Sequence, residues 1–156
     1  MIFIKTTEEI TLMKESAEIL SKTFGIIKPL IKPGVTTKEI DKAAEDFILS
    51  QGAKPNFKGY SGYPSTLCIS VNHQVVHGIP SNYMLREGDI VSVDGGVKYK
   101  GYHSDMAYTF TVGNVHPNVL KLIQTTKECL YIGIEKAKEG NRIGDIGNAI
   151  QNHAES

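Results

Sequence analysis

Between Asp89 and Val112, apolar and polar residues alternate through two runs joined at Tyr99-Lys100-Gly101. That pattern commits the segment to a long antiparallel hairpin with one dry and one wet face. The dry face collects Val91, Val93 and Val97 with Met106, Tyr108 and Phe110; the wet face collects Ser92, Asp94, His103, Asp105 and Thr109. With Tyr99-Lys100 as a two-residue loop, facing residues have numbers that sum to 199, which sets Asp94 directly against Asp105. A loop at Lys100-Gly101 makes the pair diagonal and keeps both carboxylates on one face. Opposed like charges destabilise a strand pair, and aspartate is depleted in strand interiors. The arrangement therefore predicts a cation between the two, a divalent metal being the obvious candidate. Two carboxylates saturate neither a six-coordinate Mg, Ca or Mn ion nor a Zn ion, so further ligands must come from elsewhere.

Composition limits the partners. The 156 residues, 40% hydrophobic and 22% charged, suffice for one soluble domain with a real core. Seventeen basic and 17 acidic residues cancel without long single-sign runs, so nothing favours nonspecific nucleic-acid or anionic-membrane binding. The two cysteines, Cys68 and Cys129, form no C-x-x-C pair, which argues against a structural zinc site or a disulfide framework and makes a reducing cytosol the default. The N-terminus has too short an apolar run for a signal peptide, and no window approaches a membrane span.

Two helices precede the hairpin. Thr6-Thr-Glu-Glu9 is a capping box, followed by Ile10, Met13, Ala17, Leu20, Phe24 and Ile27 at helical spacing, so a helix is expected over about 7–28. Pro29 and Pro33-Gly34 stop it. Thr36-Thr-Lys-Glu39 opens a second helix carrying Ile40, Ala43, Ala44, Phe47 and Ile48, with Gly52 as its C-cap. Short strands are expected at Leu67–Val71 and Gln74–His77, around an Asn72-His73 turn. His116-Pro117-Asn118 then opens a helix to about Lys138, and Glu139 to Ile146 opens another. Lys32–Ala43 matches Lys138–Ala149 in Lys, Gly, the acid, Ile and Ala at an offset of 106, which reads as an internal duplication. The expectation is a first half over 1–115 and an incomplete second half over 116–156, the chain being the front part of a longer two-copy protein.

Other candidate residues cluster before the hairpin. His77 lies in Val75-Val-His-Gly-Ile-Pro80, where a strand end runs into Gly and Pro at the rim of a cleft. If Asn72-His73 is a two-residue turn, Cys68 faces His77, raising a thiol-imidazole dyad as a rival chemistry, although no third residue orients the imidazole. Gly59-Tyr60-Ser-Gly62-Tyr63-Pro64 is a glycine-rich aromatic loop, too weak a motif for phosphate binding. Its rings, with Phe57 and Cys68, could line a pocket for an uncharged side chain. His103 is expected to face solvent or support the carboxylates from behind, while His73, His116 and His153 fall at a turn, a cap and a helix surface.

Gly59-Tyr-Ser-Gly-Tyr-Pro-Ser-Thr-Leu-Cys-Ile-Ser-Val-Asn72, Val76-His-Gly-Ile-Pro80, Leu85-Arg-Glu-Gly-Asp-Ile90, Val93-Asp94-Gly and Gly101-Tyr-His-Ser-Asp105 together resemble the bacterial type I methionine aminopeptidases, in order and spacing, over the whole chain. The resemblance implies an α+β pita-bread fold, two pseudo-symmetric halves of helices around a curved antiparallel sheet, and a dinuclear site for divalent Co, Mn, Fe, Zn or Ni. It implies that Asp94 chelates one metal and Asp105 bridges both, that His77 contacts substrate near the scissile amide, and that Phe57, Tyr60, Tyr63 and Cys68 line the methionine pocket. One more His and two Glu would complete the ligand set from the second half; His153 and Glu155 lie ahead of where those ligands fall. The implied function is removal of the initiator methionine from nascent polypeptides at the ribosome in the cytoplasm. Direct nucleic-acid or membrane contact is not implied, and the complete enzyme is expected to be a monomer. The 156 residues alone are expected to be inactive or nearly so. The alternative is a non-catalytic pita-bread binding module.

Overall fold

Thr6 and Thr36 start their helices by the same reciprocal device. Glu9 returns a carboxylate oxygen to the Thr6 N–H at 2.7 Å while the Thr6 hydroxyl accepts from the Glu9 N–H, and Glu39 does the same for Thr36 at 2.7 Å. Helix α1 runs Thr7–Ile27 and α2 runs Thr37–Ser50 in the computed structural model, which describes residues 3–156. Past α2, Gly52 takes φ of 68°, the left-handed turn a helix end needs.

The buried face of α1 differs from the expected stripe. Leu20, Phe24 and Ile27 are inside, but Ile10, Met13 and Ala17 are exposed, and Ser16, Ile19 and Thr23 are buried in their stead. Small hydroxyl residues let the helix approach the sheet closely while satisfying themselves. Ser16 Oγ donates to Val97 O at 3.0 Å and lies 3.0 Å from Ser104 Oγ, and Thr23 Oγ1 donates to Ile19 O at 2.8 Å.

Four antiparallel strands follow: β1 Lys54–Pro55, β2 Leu67–Val71, β3 Ile90–Tyr99 and β4 Tyr102–Thr111. Strand β3 is central, pairing with β1 and β2 along one edge and with β4 along the other. The core between sheet and helices holds Leu20, Phe24, Ile40, Ile48, Leu67 and Val93, among others. The hairpin register resolves to the Lys100-Gly101 loop: Tyr99 faces Tyr102, and Gly96 rather than Asp94 faces Asp105. Lys100 and Gly101 both have positive φ, 47° and 90°, the primed turn whose twist suits a hairpin. The directly opposed register is thus corrected to the diagonal one.

The expected strand Gln74–His77 does not form. Strand β2 already pairs with β3, and its other edge is occupied by single groups: Leu67 N–H donates to Asp41 Oδ1 at 2.7 Å, Ile69 N–H to Gly78 O at 2.8 Å and Val71 N–H to Gln74 Oε1 at 2.9 Å. Residues 74–77 are an exposed loop. Cys68 faces Asp94, not His77, which removes the register on which the thiol-imidazole dyad depended.

Asp89 ties this end of the sheet together. Its buried carboxylate accepts from Asn72 Nδ2 at 2.8 Å, Tyr83 Oη at 3.0 Å and Arg86 N–H at 2.9 Å. Burial opposes ionisation, but these donors outweigh it and hold the carboxyl below the usual carboxylate range. A depressed folded-state pKa contributes stability above the unfolded value that disappears as pH falls through the folded one. Asp89→Ala is therefore expected to lower stability by about 3 kcal/mol at neutral pH. It should also flatten the acid limb of the stability-pH profile; urea unfolding from pH 7 downward checks both.

The chain divides into two compact units, Met1–Asn114 and Val115–Ser156. The second comprises α3, Pro117–Lys136, capped by His116 Nδ1 accepting the Asn118 N–H, and α4, Ile143–Ala154. Gly133 lets these helices close in, since a Cβ there would meet Ile150 Cδ1 at 3.0 Å. The starts of α2 and α4, Thr37 and Ile143, are 106 residues apart, and Asp145 caps the Arg142 N–H at 2.7 Å as Glu39 caps Thr36. The starts of α1 and α3, Thr7 and Pro117, are 110 apart, so the constant offset slips by about one turn in the first helix of each pair. Among the described residues, no helix is long and apolar enough to cross a membrane.

Candidate active site

Asp94 and Asp105 rise from the same face of the hairpin as diagonal neighbours, because Asp94 pairs with Ala107 while Asp105 pairs with Gly96. Asp105 is exposed and Asp94 is half-buried. The Oδ1 of Asp94 is fully buried and has no hydrogen-bond partner. Burial, and next the Asp105 charge, push the Asp94 carboxyl above its ordinary value; His77 and the Gly95 N–H act the other way. An orphaned carboxylate oxygen beside a second carboxylate is a hard, anionic donor set that fits a divalent cation. Among the described residues no group of three or more His, Cys, Asp or Glu side chains is gathered to hold a metal, so these two supply only part of a coordination shell.

Around the acids the sheet face is apolar or neutral. Gly96 is required there, since a Cβ would lie 3.0 Å from both Asn56 Cβ and Phe57 Cε1. Phe57 therefore packs over Gly96, the residue that directly faces Asp105. The Tyr63 hydroxyl lies against the Cys68 thiol, and its proton is shared between Leu67 O at 3.0 Å and Gly78 O at 3.1 Å. Burial raises the pKa of both groups, first among the causes in each case; Asp94 and Asp105 push the thiol further up. A buried thiol kept protonated is a poor nucleophile. The structure thus sets Tyr63 and Cys68 beside Asp94 and Phe57 over Gly96, while Tyr60 stands 77% exposed.

His77 is brought into electrostatic range of Asp94 by a strained loop, its own φ being 57°. Behind it, Gly78 passes so close to β2 that a Cβ would sit 2.3 Å from Ile69 O. His103 is exposed, with Nδ1 2.7 Å from Asn56 Oδ1, and so braces the residue that covers Gly96. His153 pairs with Glu128 at 2.8 Å in the second unit. A groove of about 210 Å³ opens near Ile69, Val71 and Tyr83, and none of the candidate pocket residues lines it.

Sequence reasoning missed Asp41 and the Asn72–Asp89 pair. Leu67 sits at the head of β2 with its N–H held by Asp41 and its C=O by Tyr63, so Asp41 fixes the strand that carries Cys68. Its signal was position: Asp41 follows Ile40 on the inward face of α2, where a charge needs a partner.

The model of metallopeptidase family M24 matches residues 11–156. The chain is 50% identical over 156 residues to a methionine aminopeptidase of Clostridium perfringens and 47% identical over 156 residues to methionine aminopeptidase 1 of Bacillus subtilis, covering all of this chain and 63% of each relative. A crystal structure of methionine aminopeptidase from Rickettsia prowazekii superposes with a TM-score of 0.97 at 37% identity, over 99% of this chain and 62% of that one. The helices and antiparallel sheet are those of the pita-bread fold, and the chain spans less than two thirds of the length of these relatives.

Proposed function

The chain belongs to metallopeptidase family M24, and from that premise we propose that it carries part of the active centre of an enzyme that removes the initiator methionine from nascent proteins in the cytosol. The observation that carries this reading is the buried, unpartnered Asp94 oxygen beside Asp105, flanked by Phe57, Tyr63 and Cys68. Asp94 and Asp105 would hold divalent metal, two ions in the complete enzyme. Bound there, such ions supply Lewis acidity toward a peptide carbonyl and lower the pKa of water.

This chain's own residues do the rest of the work on its side of the centre. The His77 ring reaches the site from its loop and offers a donor to the peptide group being cut. Phe57, Tyr63 and Cys68 receive an unbranched apolar side chain, with Tyr60 at the rim. The carboxylates impose an orientation, since a free α-amine is drawn toward negative charge.

With two carboxylates in place of a full ligand set, the 156 residues are expected to release no methionine from a Met-Ala-Ser peptide in the presence of added Co or Mn. Robust turnover would overturn that part of the reading. Asp105→Asn is expected to weaken divalent binding by about tenfold in calorimetry. Unchanged affinity would favour a binding module that keeps the fold without the metals.

A further inference from the structure

We propose that Asp41, on α2, is the positioning residue of the pocket: it grips the Leu67 backbone from one side while Tyr63 grips it from the other, and so fixes where Tyr63 and Cys68 stand for an apolar side chain. The inference rests on the pocket reading given above. Leu67 N–H donates to Asp41 Oδ1 at 2.7 Å, and Leu67 O accepts from the Tyr63 hydroxyl at 3.0 Å. The Thr66 N–H also supports the Asp41 carboxylate. Thr66 and Leu67 are both fully buried, so neither amide finds water if Asp41 lets go. Leu67 sends its side chain into the core, which leaves the next residue, Cys68, on the opposite face of β2 beside Asp94. A shift at Leu67 is therefore passed to the phenol through its C=O and to the thiol along the chain.

The fold gains nothing from the charge on Asp41. Burial pushes its carboxyl above the ordinary value and Glu45 adds to this, against the Leu67 and Thr66 N–H groups and Lys58. A raised folded-state pKa contributes stability below the unfolded value that is lost as pH rises through the folded one, so at neutral pH the ionised group adds none. What ionisation does supply is a second acceptor: a carboxylate serves both N–H groups, whereas a protonated acid or an amide serves one well. Glu45 and Lys58, paired with each other, are the charged groups that face Asp41 from α2 and from the loop after β1, and Tyr63 and Cys68 feel its charge from the pocket side. A charge kept without benefit to stability, one backbone residue behind the pocket wall, is there to set the position of that wall.

The test uses the whole chain with Cys129→Ser, which keeps a donor toward Ile150 O and leaves Cys68 as the single thiol. In that background Asp41→Asn is expected to let N-ethylmaleimide modify Cys68 about tenfold faster, with the urea midpoint unchanged. Equal rates overturn the proposal. So does a faster rate matched by a fall in the midpoint, which would make Asp41 a residue of the fold alone. If the variant misfolds, the unaltered chain provides the second reading. In NMR the Thr66 and Leu67 amide protons should move together as pH falls, with a midpoint above that of an ordinary aspartate, and the Tyr63 and Cys68 signals should follow with the same midpoint. Amides that move while Tyr63 and Cys68 stay still overturn it. Millimolar L-methionine, but not L-lysine, should slow the maleimide reaction of the parent and slow that of the variant less. A parent that methionine leaves unprotected removes the pocket reading of the proposed function, and the rates alone then judge the Asp41 clamp.

Discussion

Asp94→Asn is expected to abolish the thermal stabilisation that divalent metal gives this protein, without lowering the stability of the metal-free chain. The wild-type side chain is half-buried, carries an oxygen with no partner and stands beside a second carboxylate, all of which make its charge costly in the absence of a cation. Asparagine has nearly the same shape and no charge, so the metal-free variant should melt at the same temperature or slightly higher. Metal at one hundred times its dissociation constant stabilises a protein by about 2.7 kcal/mol, roughly 8 °C for a chain of this size. Melting curves with and without Mn or Co read both halves: the wild type should show the shift and the variant should not. A variant that retains the shift, or that loses several degrees without metal, would remove Asp94 from the site.

The second large effect comes from Gly78→Ala. A methyl group there would meet Ile69 O at 2.3 Å, Ile69 C at 2.8 Å and Ser70 Cα at 2.9 Å, all backbone atoms of β2 that cannot swing aside. The loop must lift instead. Lifting it breaks the bonds from Ile69 N–H to Gly78 O, from Gly78 N–H to Ser70 Oγ and from Tyr63 Oη to Gly78 O. Three bonds at about 1 kcal/mol each put the local loss near 3 kcal/mol. Because Val75 and Val76 are already exposed, the damage should stay local. Amide exchange at Ile69 is expected to accelerate about a hundredfold while the global midpoint moves little. Unchanged protection at Ile69 would show that the loop is not held as described.

Much of this was readable before any coordinates, and the misses have physical reasons. Both capping boxes formed because their donors and acceptors lie within one turn and need nothing else from the fold. The hairpin register was settled by a local preference, since Gly101 tolerates positive φ where Tyr99 would be strained. Residues 74–77 carry strand-like valines, but a strand exists only where an edge is vacant, and β2 had none to give. On α1, counting apolar residues located Leu20 and Phe24 yet passed over Ser16 and Thr23, whose burial depends on a sheet carbonyl and on helix backbone rather than on hydrophobicity. Asp94 and Asp105 were legible because their oddity was sequential; Asp41 was not, because its partner Leu67 lies 26 residues away.

The Tyr63 phenol and the Cys68 thiol are both held protonated well beyond neutral pH. A surface made of them therefore carries no charge of its own near neutral pH. A glutamate side chain laid against it would give up water and meet only the like charge of Asp94, a loss of several kcal/mol. A thioether or alkyl chain gives up nothing. If these residues receive a side chain as proposed, selectivity there is exerted by refusal, with neither the thiol nor the phenol titrating near neutral pH to alter it.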